Sequence, residues 1–202
     1  MESFTLSHVP HDLSVCHTAL YTNVTSSAEI RKRIVAAATA EGEAGDKERE
    51  AVDFAFIDAR LVTSRLHLRT AIHQAILAAA RGALRTKTVH SEILFMLNPT
   101  NNISEAIRRY GVSDGSISLL VVRICAAGLG EEQVRAAADA VVKGERRPVD
   151  ELTGVVDWAA VKKYHKLNEE AAVQKLKGDT AAECRLVDDI VTSTVAAKTV
   201  LA

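Results

Sequence analysis

Residues 117–124, Ile-Ser-Leu-Leu-Val-Val-Arg-Ile, constrain this chain more than any other stretch. The run is short and rich in apolar and β-branched residues, and it reads as the central strand of a sheet. A second compact apolar run, 51–59, holds Val52, Phe54, Ala55, Phe56 and Ile57 and reads as another buried strand. From 14 to 24 apolar and polar residues alternate, with Val15, His17, Ala19 and Tyr21 on one face and Cys16 and Leu20 on the other, the pattern of a third strand.

The segments between these strands read as helices. Ser26 and Glu29 have capping-box spacing ahead of Ile30, Ile34, Ala37 and Ala38. Thr63 or Ser64 opens a long helix through Leu68, Ile72, Ala75, Ile76 and Ala79, which Gly82 stops. Periodicity leaves 92–97 open between strand and helix, and its Met and Leu content favours helix. In 101–110, Asn102 can cap, Glu105 can answer it, Ile103, Ala106, Ile107 and Tyr110 form an apolar stripe, and Gly111–Val112 suit a Schellman stop. Helices are also expected at 131–143 and 155–166, with a turn or linker at 146–149 between them. Thr180 and Glu183 form a capping pair for a last helix with Val187, Ile190, Val191 and Val195 on one face. The expected fold is α/β or mixed α+β: one helix-rich domain over 1–202 with a small sheet of about three to four strands. Residues 1–13 are read as a polar lead-in and 41–50, charged and aperiodic, as an exposed loop.

Composition narrows the function classes. The chain has 202 residues, 48% of them hydrophobic, enough for one real core. A formal net charge of −1 excludes both a disordered polyelectrolyte and a global basic field, and leaves room for a local basic patch. Aromatics at 4% argue against an extended base-stacking platform. Cys16, Cys125 and Cys184 lie far apart without a CxxC, as expected of reduced thiols. No apolar run approaches the roughly 20 residues a membrane span needs, and no signal-peptide pattern is visible at the N-terminus. These features point to the nucleus and cytoplasm, away from membranes.

Catalytic motifs are absent: no phosphate loop, no GxGxxG, no GxSxG and no HExxH. Gly128-Leu-Gly130 runs into Glu131 and Glu132, which would repel an anion. His8, His11 and His17 could gather around a metal only if something ordered them, and no metal or cofactor is expected. An enzyme would need a pocket with perturbed titratable groups, for which His67, His90 and Glu92 are the candidates. Asp188 and Asp189 are helix neighbours and do not converge. One feature stands out. Arg81, Arg85 and Lys87 follow the long helix, and Arg108 and Arg109 end a later one, with Thr86, Thr88, Ser91, Asn101 and Asn102 interleaved. A fold-back at Asn98-Pro99 would put both sets on one face. Cations neutralise phosphate and short polar groups fix position, so such a face suits nucleic acid. The plainer reading of the arginines is as dipole partners of a helix C-terminus, and of Asn102 as a helix cap.

The stretch 85–94, Arg-Thr-Lys-Thr-Val-His-Ser-Glu-Ile-Leu, followed by Leu97-Asn98-Pro99-Thr100-Asn101-Asn102-Ile103-Ser104-Glu105-Ala106-Ile107-Arg108-Arg109-Tyr110-Gly111-Val112-Ser113, resembles a known family. It is similar to the kinase-binding subunits of the KEOPS (EKC) complex, the PRPK-binding protein (TPRKB) family, in its fungal branch. The resemblance is specific over 52–125 and rests elsewhere on element order. The family usually has Ser where Asn98 stands and Phe where Tyr110 stands, and 41–50 resembles an insertion. The resemblance implies a non-catalytic subunit that docks on a small atypical kinase/ATPase. It implies contact with other KEOPS subunits through that kinase, and help in bringing tRNA, by its 3′ CCA end, for threonylcarbamoyladenosine formation next to the anticodon. A link to telomeres and transcription, and so to telomeric chromatin, comes with the fungal branch. The residues implied for tRNA are Arg85, Lys87, Asn101, Asn102, Arg108 and Arg109. For the kinase, the last helix with Leu186, Val187, Ile190 and Val191 carries more apolar surface than one face needs. The alternative is a generic helical protein-interaction module with no role in RNA binding.

Overall fold

A computed structural model describes residues 1–201. The run that opened the sequence reading forms β4 (Leu119–Cys125), buried over nearly its whole length. It pairs antiparallel with β2 (Val15–Thr22) on one side, Leu20 opposite Leu120, and with β3 (Ala55–Asp58) on the other, Ile57 opposite Leu120. The far edge of β2 is shared by β1 (Glu2–Thr5), opposite Val15 to Thr18, and β5 (Glu145–Arg147), opposite Leu20 to Thr22. The sheet is therefore five-stranded and wholly antiparallel.

The period-2 alternation of the strands divides the core in two. Cys16, Leu20, Ile57, Leu120, Val122 and Ile124 face one side. There they are covered by α3 (Arg65–Ala80), α4 (Val89–Leu97) and α9 (Thr180–Leu201), with α7 (Trp158–Tyr164) and α8 (Ala171–Gln174) adding Val161 and Val173. Ala19, Tyr21, Phe56, Leu119 and Val121 face the other side, under α1 (Ser27–Thr39) and α6 (Glu131–Val141). The two remaining helices are α2 (Gly42–Ala51) and α5 (Ile103–Tyr110).

Several local expectations change. The expected polar lead-in contains β1: Phe4 packs on the core with the Arg69 guanidinium 4.7 Å from its ring, and Glu2 pairs with Arg65 at 2.6 Å. Residues 146–149, read as a turn or linker, contribute Arg146 and Arg147 to β5. The charged segment 41–50 is exposed as expected but is mostly helical, as α2. It has no apolar stripe to betray it. Its helix is held by Glu43–Lys47 at 2.8 Å, Asp46–Arg49 at 2.6 Å and an Arg33–Glu48 pair at 2.6 Å to α1. Residues 92–97 are helical, within α4. Ser26 does not cap α1; its hydroxyl donates to the Val141 carbonyl and accepts from the Lys143 amide. The cap of α9 is Asp179, which accepts from the Ala182 amide, rather than a Thr180–Glu183 box. Gly111 is no Schellman residue: with φ −74° it is extended and bridges Ile57, and a Cβ there would lie 2.5 Å from the Ile107 carbonyl oxygen. Ile103 and Ile107, expected in the core, are exposed, and α5 buries Ala106 and Tyr110.

Candidate nucleic-acid interface

The basic stretch lies where three helix ends meet. The α3 helix ends at Gly82, whose φ of +62° suits a residue without a Cβ. The Gly82 amide donates to Ala79 and the Ala83 amide to Ala78, a complete Schellman turn. The chain then crosses 83–87 and enters α4 through Thr88, whose hydroxyl accepts from the Ser91 amide. It leaves α4 at Asn98 and enters α5 through Asn102, whose side chain accepts from the Glu105 amide at 3.0 Å. The Asn98 amide group donates to the Thr100 hydroxyl at 2.8 Å and holds this turn closed.

The last turns of α9 complete the arrangement. Gln74 of α3 donates to the Ala196 carbonyl and accepts from the Thr199 hydroxyl, both at 3.1 Å. Between them Lys198, buried, donates its three N–H groups to the carbonyls of Phe95, Asn98 and Thr100. It thereby supplies the α4 C-terminus with a cation. Burial lowers its pKa to about 8.

Together α3, α4, α5 and α9 enclose a cavity of about 370 Å³, at the small end of ligand-site volumes. Arg81, Arg85 and Asn101 line it and are exposed, so they stand at its mouth. Leu77, Phe95 and Ile103 are among its apolar lining, and Glu92 and Lys198 are its buried charged groups. Glu92 accepts, through Oε2, the backbone amides of Arg85 at 3.0 Å and Thr86 at 2.8 Å and the Thr86 hydroxyl at 2.6 Å. One carboxylate oxygen therefore shapes the segment that carries Arg85.

The sequence-derived RNA candidates divide accordingly. Arg85 and Asn101 share the cavity. Lys87, Asn102 and Arg108 are exposed but do not line it, and Asn102 is the α5 cap. Arg109 turns inward: its guanidinium is 2.6 Å from Glu105 and 4.4 Å from the Tyr164 ring centroid. The Thr100 hydroxyl, then Asn98 and the Arg109 and Arg108 guanidiniums, hold Glu105 below the usual carboxylate range against its burial. Gln74, Phe95, Lys198 and Thr199 were not anticipated as site residues. A signal existed for Lys198, which continues the stripe of Val187, Val191 and Val195 at helical spacing.

The residues weighed for an enzyme are each engaged by different partners, Glu92 by Arg85 and Thr86. Burial, with His165 nearby, pushes the His67 pKa down to about 3, and its Nδ1 faces the Thr63 amide and hydroxyl. His90 bridges Asp53 at 2.9 Å and the Ile124 amide at 2.9 Å, a tie between α4 and the sheet. His17 is buried in β2 against Ser3, whereas His8 and His11 are exposed. Among the described residues no three His, Cys, Asp or Glu groups are placed to hold a metal ion, and no helix is long and apolar enough to cross a membrane. Of the residues suggested for the kinase, Val187 and Val191 are core, 1% and 0% exposed, because α9 lays that stripe against α3. Leu186 and Ile190 are half-buried at its flank.

A family model described as "Kinase binding protein CGI-121" matches residues 21–199. A protein named EKC/KEOPS complex subunit CGI121 from Cryptococcus neoformans is 35% identical over an alignment of 234 positions, gaps included, covering 100% of both chains. Proteins of the same name from Aspergillus terreus and Neurospora crassa are 34% and 30% identical. The first alignment covers 89% of this chain and 86% of its relative, the second 97% of each. With a helix-rich mixed α/β fold, and a family match that runs from β2 into the last turns of α9, the chain belongs to the CGI-121 family of kinase-binding proteins.

Proposed function

We propose that this protein is a non-catalytic subunit of an EKC/KEOPS complex. In this reading it binds the small atypical kinase/ATPase directly and meets the other subunits through it. It helps bring tRNA for threonylcarbamoyladenosine formation next to the anticodon by gripping the single-stranded 3′ CCA end. The observation that carries the RNA reading is the α3–α4–α5–α9 cavity. Arg81 and Arg85 stand at its mouth with Lys87 exposed nearby, and the interior is largely apolar. Guanidiniums and ammonium groups suit phosphate, and an enclosed apolar wall suits an unstacked base. A volume of about 370 Å³ admits a strand end and excludes a duplex. For the kinase, the flank of α9 around Leu186 and Ile190 is the proposed contact, since Val187 and Val191 are occupied by the core. Nuclear and cytoplasmic residence, with a fraction on telomeric chromatin, accompanies membership of the complex and is checked by imaging a tagged chain.

Two measurements test this. The full chain is titrated with the kinase of the same organism, for which tight one-to-one binding is expected; no binding at micromolar concentration overturns the subunit reading. It is also titrated with tRNA carrying or lacking the CCA end, at one fixed salt concentration. The CCA end should tighten binding. Lys87→Glu and Arg85→Glu should weaken it while the melting temperature stays near that of the parent protein. Unchanged affinity in both variants removes the basic segment from the site.

A further inference from the structure

The inward side of α5 is fully used. Ala106 and Tyr110 are buried, and Arg109 turns onto Glu105 and the Tyr164 ring. Its outward side is Ile103, Ser104, Ile107 and Arg108, all exposed. Ile103 is 37% and Ile107 49% exposed, and residues four apart lie side by side on a helix surface. One exposed isoleucine is ordinary, but two in line on a short helix form an apolar strip that the fold leaves in water. The strip does not stand alone. Ile103 also lines the α3–α4–α5–α9 cavity, so the strip starts at the cavity wall and runs outward along α5. Cations stand at both ends, Arg81 and Arg85 at the cavity mouth and Arg108 beside Ile107. The only carboxylate of α5, Glu105, is engaged by the Thr100 hydroxyl and by Arg109 and does not offset them. The strip is also narrow. A stable protein partner needs about 800 Å² on each side, whereas two isoleucines bordered by a serine and an arginine fit a single strand.

We propose that the outward face of α5 carries the unpaired nucleotides that precede the RNA end held in the cavity. Ile103 and Ile107 pack against base faces, and Arg108 contacts phosphate. Every base offers an apolar face, so this contact tolerates any sequence. The cavity takes the end of the strand, and α5 lengthens the grip without reading bases. This rests on the cavity being the site for the tRNA end, and it extends that site along the strand to Ile107.

The test uses the full chain and single-stranded RNAs with a common 3′ end: the dinucleotide CA, the trinucleotide CCA, and strands lengthened on the 5′ side. The parent protein should bind more tightly as nucleotides are added. Ile107→Gln places a good helix former at an exposed position, so the melting temperature should hold. It should keep the parental affinity for the dinucleotide and lose about five-fold for the longest strand, as expected when one apolar contact is removed. Arg108→Gln should flatten the salt dependence for the longest strand by about one phosphate contact. Parental affinity of Ile107→Gln for the longest strand overturns the proposal. So does an equal loss at every length, which would place the effect in the cavity itself. Weaker kinase binding in Ile107→Gln, with RNA binding intact, also overturns it and gives the strip to the protein partner. If CCA-bearing tRNA is preferred but added nucleotides bring no gain, the α5 extension falls and the tRNA-end reading stands. If the parent protein does not distinguish tRNA with and without CCA, the tRNA-end reading itself fails and this proposal falls with it.

Discussion

His67 lies at the start of α3 with no exposed surface, and His165 shares a hydrogen bond of 3.0 Å with the hydroxyl of Tyr110. Burial is the main cause that lowers their pKa values, to about 3 for His67 and about 4 for His165. Both folded values lie below the ordinary histidine value of 6.5, so the unfolded chain binds protons that the fold excludes. Stability from this source is fully present above that value and is lost as pH falls toward 4 and then 3. Each histidine removes about 1.4 kcal/mol per pH unit in that window. Urea unfolding at neutral pH and near pH 5 should show a clear fall, smaller in His165→Phe; equal stability at both would show that neither site excludes its proton. At this scale the sequence was informative about exposure, as at Arg85 and Asn101, which are exposed and line one cavity. It could not separate Arg108 from Arg109, because successive helix positions point about 100° apart and Tyr164 and Glu105 decide which one turns inward. Glu92, set in a run of Ile, Leu, Phe and Met, stood out only as a titratable group for an enzyme pocket, and its hold on the Arg85–Thr86 backbone was not legible.

At the scale of elements, the entry to α5 offers a clean separation of two roles. Asn102→Ala should cost about 1 kcal/mol through loss of the cap, whereas Asn102→Ser should restore most of it. If tRNA affinity follows stability through both variants, Asn102 acts as a cap; if serine restores stability and not binding, its amide touches RNA. The α9 helix gives a second contrast. Ile190→Glu, at the flank, should weaken kinase binding about ten-fold or more with little change in melting temperature, as expected when an interface anchor is lost. Val191→Glu, with a buried charge in the core, should unfold the chain. Intact kinase binding in Ile190→Glu would move the interface elsewhere. Strands with strong alternation or continuous apolar character, β2, β3 and β4, were legible because burial selects their pattern. The edge strands β1 and β5 were not: short and polar, they owe their conformation to hydrogen bonding with β2. The α2 helix was hidden for a related reason, since ion pairs rather than an apolar face hold it.

For the whole molecule, a net charge of −1 with cations gathered at one mouth predicts binding that is local and steeply salt-dependent. The logarithm of tRNA affinity should fall linearly with the logarithm of salt concentration, and Lys87→Glu should make that slope shallower by about one phosphate contact. A flat salt response would exclude phosphate recognition. The layered sheet was foreseeable from three buried strands and the helices between them, but the cavity was not, because no local pattern encodes a space bounded by four helices. Its closure depends on Lys198 reaching Asn98, 100 positions earlier in the chain. Synthesis from the N-terminus delivers Lys198 after every strand of the sheet. During synthesis the strands and α3 are therefore available to assemble while the cavity still lacks its α9 wall. If the cavity binds an RNA end as proposed, a chain interrupted before Lys198 would keep the strands but lose that grip, so RNA retention would distinguish finished from unfinished molecules.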